Sequence, residues 1–305
     1  MSLRFDAELE KYGPGSAMSP PGLLEAQDYC RRLAGSHYEN FTVASWLLPP
    51  RLRQPFCNVY AYCRWADDLA DETGDSFRSL ELLSWWERQL DDCYRGRARH
   101  PVFVALINTI EEYDLPPEPF RDLLSAFRQD QRKRRYETFA ELLDYCRRSA
   151  NPVGRLVLRL GRFDNAANAA WSDSICTGLQ LANFWQDVRR DYEQDRIYLP
   201  RETQRRFGYG EDMFEDRTAS DAFRQMLAFE VDRAESYLEA GRPLLEQTPP
   251  SLRVDIDLFL RGGLAILDAI RRQQFDVWKR RPSVGKLAKI RLLWSAWKAQ
   301  RGTPA

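Results

Sequence analysis

The chain has 305 residues, and Lys plus Arg equals Asp plus Glu at 45 each, so no net field favours nucleic acid or an acidic partner. Hydrophobic residues make up 44% and charged ones 30%, the balance of a globular protein with enough chain to bury a large core. Six scattered cysteines without CxxC spacing, and only His37 and His100, supply neither a zinc site nor a His-based triad. The thiols read as buried and reduced.

The N-terminus, MSLRFDAELEKYG, has no apolar signal core, and no run of about 18 apolar residues occurs, so the expectation is a cytoplasmic protein. Residues 1–21, with Gly13, Pro14, Gly15, Pro20 and Pro21, read as a flexible arm. From Gly22 the pattern becomes helical. Amphipathic runs are expected from Leu23 to near Gly35, Arg51 to Glu72, Phe77 to Tyr94, Pro101 to Tyr113, Phe120 to Gln131 and Phe139 to Ser149. Val153–Leu160 is short and apolar. Ala166 to about Tyr192 is a long helix, followed by Asp221–Ala240, Leu252–Gln273 and a basic helix over Lys286–Gln300. Period-two alternation is nearly absent. The expectation is all-α, with one domain over 22–284 and a basic amphipathic segment over 285–305.

Two of these helices carry an unusual face. In CRWADDLAD, Arg64, Asp67 and Asp71 follow steps of three and four residues, which share one helical stripe. In QLANFWQDVRRDYEQDRIYLP, Gln180, Asn183, Asp187 and Asp191 do the same over three turns. Asp191/Asp195 repeats the spacing, which shows how common a single pair is. Both stripes are flanked by strongly apolar residues (Val59, Leu69, Leu179, Leu181, Trp185), unlike a fully solvated face.

Two acidic helices that face each other make a cage of hard oxygen ligands suited to Mg²⁺ and, through it, to a diphosphate. Without divalent cations, phosphate against carboxylate costs about 4 kcal/mol per pair at 4 Å and an effective dielectric near 20. Arg64, Arg189 and Arg190 add fork-shaped donors for phosphate oxygens. The chemistry implied is ionisation of a stabilised diphosphate to a carbocation.

YAYCRWADDLAD and LQLANFWQDVRRDYEQDRIYLP resemble the two acidic signatures of the squalene/phytoene synthase family. The LLP at 47–49, RRYETFAELLDYC at 134–146, the VG at 153–154 and ILDAIRRQQFDVWKRR at 266–281 agree, so the resemblance covers roughly 25–290. It implies a helical isoprenoid-synthase bundle with a central cavity. It also implies Mg²⁺ on Asp67, Asp71, Asn183, Asp187 and Asp191, with Arg64 and Gln180 towards the diphosphate and the reacting chain; Arg190 is a candidate for the diphosphate through its fork-shaped donors alone.

Some positions depart from the common pattern. The chain reads SHYENF at 36–41 where a Ser-x-Ser-Phe is usual, and YCRRSANPVG at 145–154. Arg148 takes a place where some relatives carry tyrosine, and so does Phe275; both, with Phe41, are candidate substrate-binding residues. HYENF resembles the bacterial hydroxysqualene synthase branch, which takes presqualene diphosphate. On that reading Tyr38, Glu39 and Asn40 orient a quenching water beside Phe41; an ordinary helix start is the alternative. No nicotinamide fingerprint such as G-x-G-x-x-G is present.

The alternatives are head-to-head condensation of two farnesyl or similar diphosphates, and a non-catalytic assembly factor of the same fold. The latter normally lacks some of the acidic residues retained here. The basic runs 132–135 and 279–281 read as solvated faces. GKLAKIRLLWSAWKAQR at 285–301 suits either a membrane surface or a docked terminal helix. Enzymes of the squalene pathway are the partners this reading implies.

Overall fold

The computed structural model describes residues 5–36 and 48–285. Among them every regular element is helical, apart from one parallel bridge between Arg135 and Ile197. The chain divides into two compact units, Met1–Arg132 with Arg155–Asp164, and Lys133–Gly154 with Asn165–Ala305. The second division falls inside the helix Asn151–Gly161, not in a loop, so no linker composition marks it in the sequence.

The first unit begins with α1 (Phe5–Tyr12), in the stretch expected to be a flexible arm. That expectation is corrected: Phe5 packs edge-on to Trp65 at 5.7 Å, and Tyr12 does so to Tyr29 at 5.3 Å. A helix of two turns has little stability of its own, so this aromatic docking holds it. Next come α2 (Leu23–Ser36), α3 (Pro50–Asp71), α4 (Ser76–Tyr94), α5 (Pro101–Tyr113) and α6 (Glu118–Asp130). Pro50 suits the first turn of α3, where its missing N–H costs nothing. Leu52, Val59, Tyr62, Trp65, Ala66 and Leu69 then bury one side at helical spacing. α3 packs on α2, α4, α5 and α6, and is the hub of this unit.

Around that hub Trp65 stacks on Trp86 at 5.3 Å, and Trp86 meets Phe103 at 4.5 Å. His100 stands edge-on to Trp65 at 4.6 Å and to Trp86 at 4.8 Å. Its Nδ1 accepts the Val102 N–H at 3.2 Å and so caps α5. The remaining proton belongs on Nε2, which has no hydrogen-bond partner among the described residues.

The second unit holds α7 (Phe139–Ser149), the first turn of α8 (Asn151–Gly161), α9 (Ala166–Glu193), α10 (Arg201–Arg206), a 3₁₀ turn (Glu211–Phe214), α11 (Asp221–Ala240), α12 (Leu244–Gln247) and α13 (Pro250–Arg272). Its hub is α9, which packs on α7, α11, α12 and α13. Asn165 starts α9 by accepting the Asn168 N–H at 2.9 Å. The helix stops at Glu193, and Asp195 turns left-handed with φ 58°. Two glycines let its neighbours approach: a Cβ on Gly178 would lie 2.7 Å from Leu238 Cγ, and one on Gly263 2.8 Å from Leu179 Cδ2.

Burial lowers the His100 imidazole to about 3, while an unfolded chain protonates it near 6.5. Below about pH 6.5 the unfolded state therefore binds one more proton, and stability falls by up to about 1.4 kcal/mol per pH unit until about pH 3. His100→Asn keeps a capping oxygen but removes the titration. Urea unfolding of this variant between pH 6 and 4 is expected to show a slope shallower by about 1 kcal/mol per unit. Equal slopes would refute the buried neutral imidazole.

Candidate active site

On α3 a half-exposed lane runs through Phe56, Tyr60, Cys63, Arg64 and Asp67 to the exposed Asp71. Apolar surface thus leads along one helix into carboxylates. Arg64 Nη1 meets Asp67 Oδ2 at 3.2 Å, and Nη2 is in ion-pair contact with Asp68. Asp68 is a member of this cluster that the stripe pattern missed, because it lies one step off the stripe towards the core, where it is buried. Its acidity on an otherwise apolar side was the only signal available.

Asp67 is pushed up to about 6, first by desolvation and then by Asp71, with Arg64 acting the other way. Its side chain still exposes 44% of its surface. Asp68 is also pushed up to about 6, by desolvation first, against the pull of Arg64. Carboxylates held above their usual range are relieved by a nearby cation.

On α9 the second stripe keeps the same gradation. Cys176, Leu179 and Gln180 are half-buried, Asn183 is exposed, and Asp187 and Asp191 are half-buried. The opposite side of the helix is core: Trp185 is fully buried and donates its indole N–H to the Glu230 carbonyl at 3.0 Å. Asp195 leaves the stripe because the helix has ended, and pairs instead with Arg134 at 3.4 Å and Arg135 at 2.8 Å. Arg135 also reaches Glu211 at 2.6 Å. The run 132–135 is therefore not simply a solvated face.

The same correction applies to the run 279–281. After α13 the backbone makes two consecutive left-handed residues, Gln274 (φ 51°) and Phe275 (φ 60°). Gln274 N–H bonds to the Arg271 carbonyl at 2.8 Å and Phe275 N–H to that of Ile270 at 3.0 Å, closing a Schellman turn without glycine. The chain then lies along the last turns of α9. Arg189 Nη1 donates to the Trp278 carbonyl at 3.1 Å, and Gln186 Nε2 to that of Pro282 at 2.6 Å. Arg281 grips Asp187 with Nε to Oδ1 at 2.5 Å and Nη2 to Oδ2 at 2.8 Å. Arg190 Nη1 stands 3.9 Å from Asp187.

Arg148, expected beside the substrate, is 14% exposed and donates to Asp144 at 2.8 Å. Arg147 and then Arg148 hold the Asp144 carboxyl below the usual range. Phe275 is half-buried in the turn just described. Tyr38, Glu39, Asn40 and Phe41, and the basic segment from residue 286 onward, lie outside the described residues.

Among the described residues no three His, Cys, Asp or Glu side chains converge on a ready-made metal position. The donors nonetheless suit Mg²⁺. They are hard oxygens, two of the carboxyls are raised by desolvation, and Asp187 already holds a cationic group.

Residues 27–288 match the Squalene/phytoene synthase family, and the chain belongs to it. It is an isoprenoid synthase of a family that works on prenyl diphosphates. It is 32% identical to the 15-cis-phytoene synthase of Synechocystis sp., over 95% of this chain and 89% of that one. To the hydroxysqualene synthase of Rhodopseudomonas palustris it is 39% identical, over 68% of this chain and 70% of that one. The crystal structure of squalene synthase HpnC from Alicyclobacillus acidocaldarius superposes with a TM-score of 0.79 at 46% identity, covering 83% of this chain and 95% of the other. No helix among the described residues is long and apolar enough to cross a membrane.

The turn that redirects the chain towards Asp187 offers a test. Gly at its first left-handed position removes a steric cost of about 1 kcal/mol. Gln274→Gly is therefore expected to raise the urea midpoint, corresponding to about 0.5–1 kcal/mol. A lowered midpoint would show that the Gln274 side chain holds the turn by contacts of its own.

Proposed function

We propose that the chain converts presqualene diphosphate to hydroxysqualene with Mg²⁺. The observation that carries this reading is the 39% identity to a hydroxysqualene synthase, against 32% to the phytoene synthase above. The 46% identity to the squalene synthase HpnC favours a squalene-type over a phytoene-type product, and HYENF at 37–41 resembles the hydroxysqualene branch. Each stripe grades from apolar surface to carboxylates, which suits an amphiphile with a long hydrocarbon and a diphosphate head.

In this proposal Asp67, Asp71, Asn183, Asp187 and Asp191 hold the metal and so bind the head group indirectly. Bound Mg²⁺ supplies charge neutralisation for the departing diphosphate. Arg64 and Arg190 direct guanidinium donors to its oxygens, and Gln180 faces the reacting carbon chain. The C–O bond breaks with its electron pair leaving on diphosphate. The cyclopropylcarbinyl cation rearranges, and water adds through oxygen and loses a proton. Tyr38, Glu39 and Asn40 are assigned to orient that water, and Arg148, Phe41 and Phe275 to shape the surrounding site.

The second reading, head-to-head condensation of two prenyl diphosphates, is favoured by the match to phytoene synthase over 95% of the chain. Incubation with Mg²⁺ and no nicotinamide separates the two. Hydroxysqualene formed from presqualene diphosphate, with farnesyl diphosphate left untouched, is the expected result. Consumption of farnesyl diphosphate would favour condensation, and turnover of neither by the folded protein would favour a binding role. Asp187→Asn is expected to lower the turnover number roughly 10³-fold, the several kcal/mol of charge stabilisation a metal ligand controls. Unchanged turnover would remove Asp187 from the clamp.

A further inference from the structure

Asp187 is 13% exposed, and both its oxygens are taken by the side-on fork of Arg281, itself 37% exposed. The same guanidinium donates from Nη2 to Gln186 Oε1 at 3.0 Å. Gln186 returns a bond to the Pro282 carbonyl, and Arg189 holds the Trp278 carbonyl. One short segment is thus tied to a single turn of α9, at positions 186, 187 and 189. Of the other charges nearby, the exposed Arg190 stands 3.9 Å from Asp187, whereas Arg189 pairs with Glu193 at 2.9 Å and Lys279 with Asp276 at 3.2 Å.

A magnesium ion bonds carboxylate oxygen at about 2.0–2.1 Å. With Arg281 in place, such an ion on Asp187 would stand about 4 Å from a full positive charge in a partly desolvated site, where like charges repel by several kcal/mol. Arg281 and a metal therefore exclude each other at this carboxylate. Arg281 has a long stem and an exposed edge, so it can leave into solvent without unpacking the core.

We propose that Arg281 is an exchangeable internal cation. It neutralises Asp187 in the metal-free protein, and its displacement by a metal ion releases the segment Trp278–Pro282 from α9. This inference rests on the metal-binding reading given above, and makes Arg281 a positioning residue for that site.

Mn²⁺ titration followed by electron paramagnetic resonance, with no diphosphate present, provides the test. Arg281→Gln is expected to bind Mn²⁺ about tenfold more tightly than the wild-type chain, because the competing pair is gone. Arg281→Lys, which keeps the charge but not the fork, should fall between them. It gives the same ordering should the Gln variant fail to fold by circular dichroism. Hydrogen exchange in peptides covering 276–285 should accelerate when Mn²⁺ is added to the wild-type chain. In Arg281→Gln it should be fast from the start. Equal or weaker Mn²⁺ binding by Arg281→Gln would overturn the exchange while leaving metal binding intact. Undiminished Mn²⁺ binding by Asp187→Asn would overturn it by placing the metal elsewhere. No Mn²⁺ binding by the wild-type chain at millimolar concentration would overturn the metal reading, and this inference with it.

Discussion

The second acidic stripe depends on a contact made on the far side of its helix. Gly178 lies two residues from Gln180, about 200° around α9. There Leu238 of α11 fills the space a Cβ would need, with its Cγ 2.7 Å from the ideal position. Gly263 of α13 lets the same leucine and Leu179 close in from another direction, and a Cβ on Gly241 would lie 2.7 Å from the Trp171 carbonyl. Two helices, α11 and α13, are thereby drawn against α9. A helix seated this closely can present two amides and two carboxylates on its other side without rotating to bury something cheaper. Overpacking such a contact typically costs 1–3 kcal/mol, and here the movement would carry the stripe with it.

The first stripe is fixed by a different means. Polar anchoring begins at Asn58, which donates to the Ala105 carbonyl and to Thr109 Oγ1, both at 3.0 Å. Tyr62 donates to the Phe120 carbonyl at 2.9 Å, and Trp65 to the Tyr29 hydroxyl at 2.9 Å. These directional bonds lock the rotation of α3 as well as its depth. In each unit, then, the helix that bears the acids is also the helix with the most neighbours. The protein places its least comfortable charges on its best-supported elements, a common arrangement where a site opposes the preferences of the fold.

Much of this was legible in the amino-acid pattern. The long helices fall within two or three residues of where periodicity and capping residues placed them, because buried faces such as Leu52 to Leu69 repeat at helical spacing. Pieces under two turns, α10 and α12, left no such period to read. α1 was missed because Phe5 and Tyr12 gain order only from rings far along the chain, Trp65, Tyr29 and His100. The stripe residues were legible as a face, yet their partners were not. Arg281 lies 94 positions from Asp187, and nothing in a basic run announces which member will turn inward. Asp68 was hidden for the opposite reason: an acid next to a stripe looks like part of a solvated surface, whereas its packing makes it buried.

The pairing of Arg281 with Asp187 also alters what an approaching anion encounters. The turn around Asp187 presents the guanidinium groups of Arg189, Arg190 and Arg281 beside the carboxylates of Asp187, Asp191 and Glu193. Over this turn these charges cancel within a few ångströms, less than one Debye length at physiological salt. This turn by itself therefore adds little to the long-range steering of an approaching anion. Selection of a charged ligand at this helix is left to short-range contacts, after the encounter has taken place.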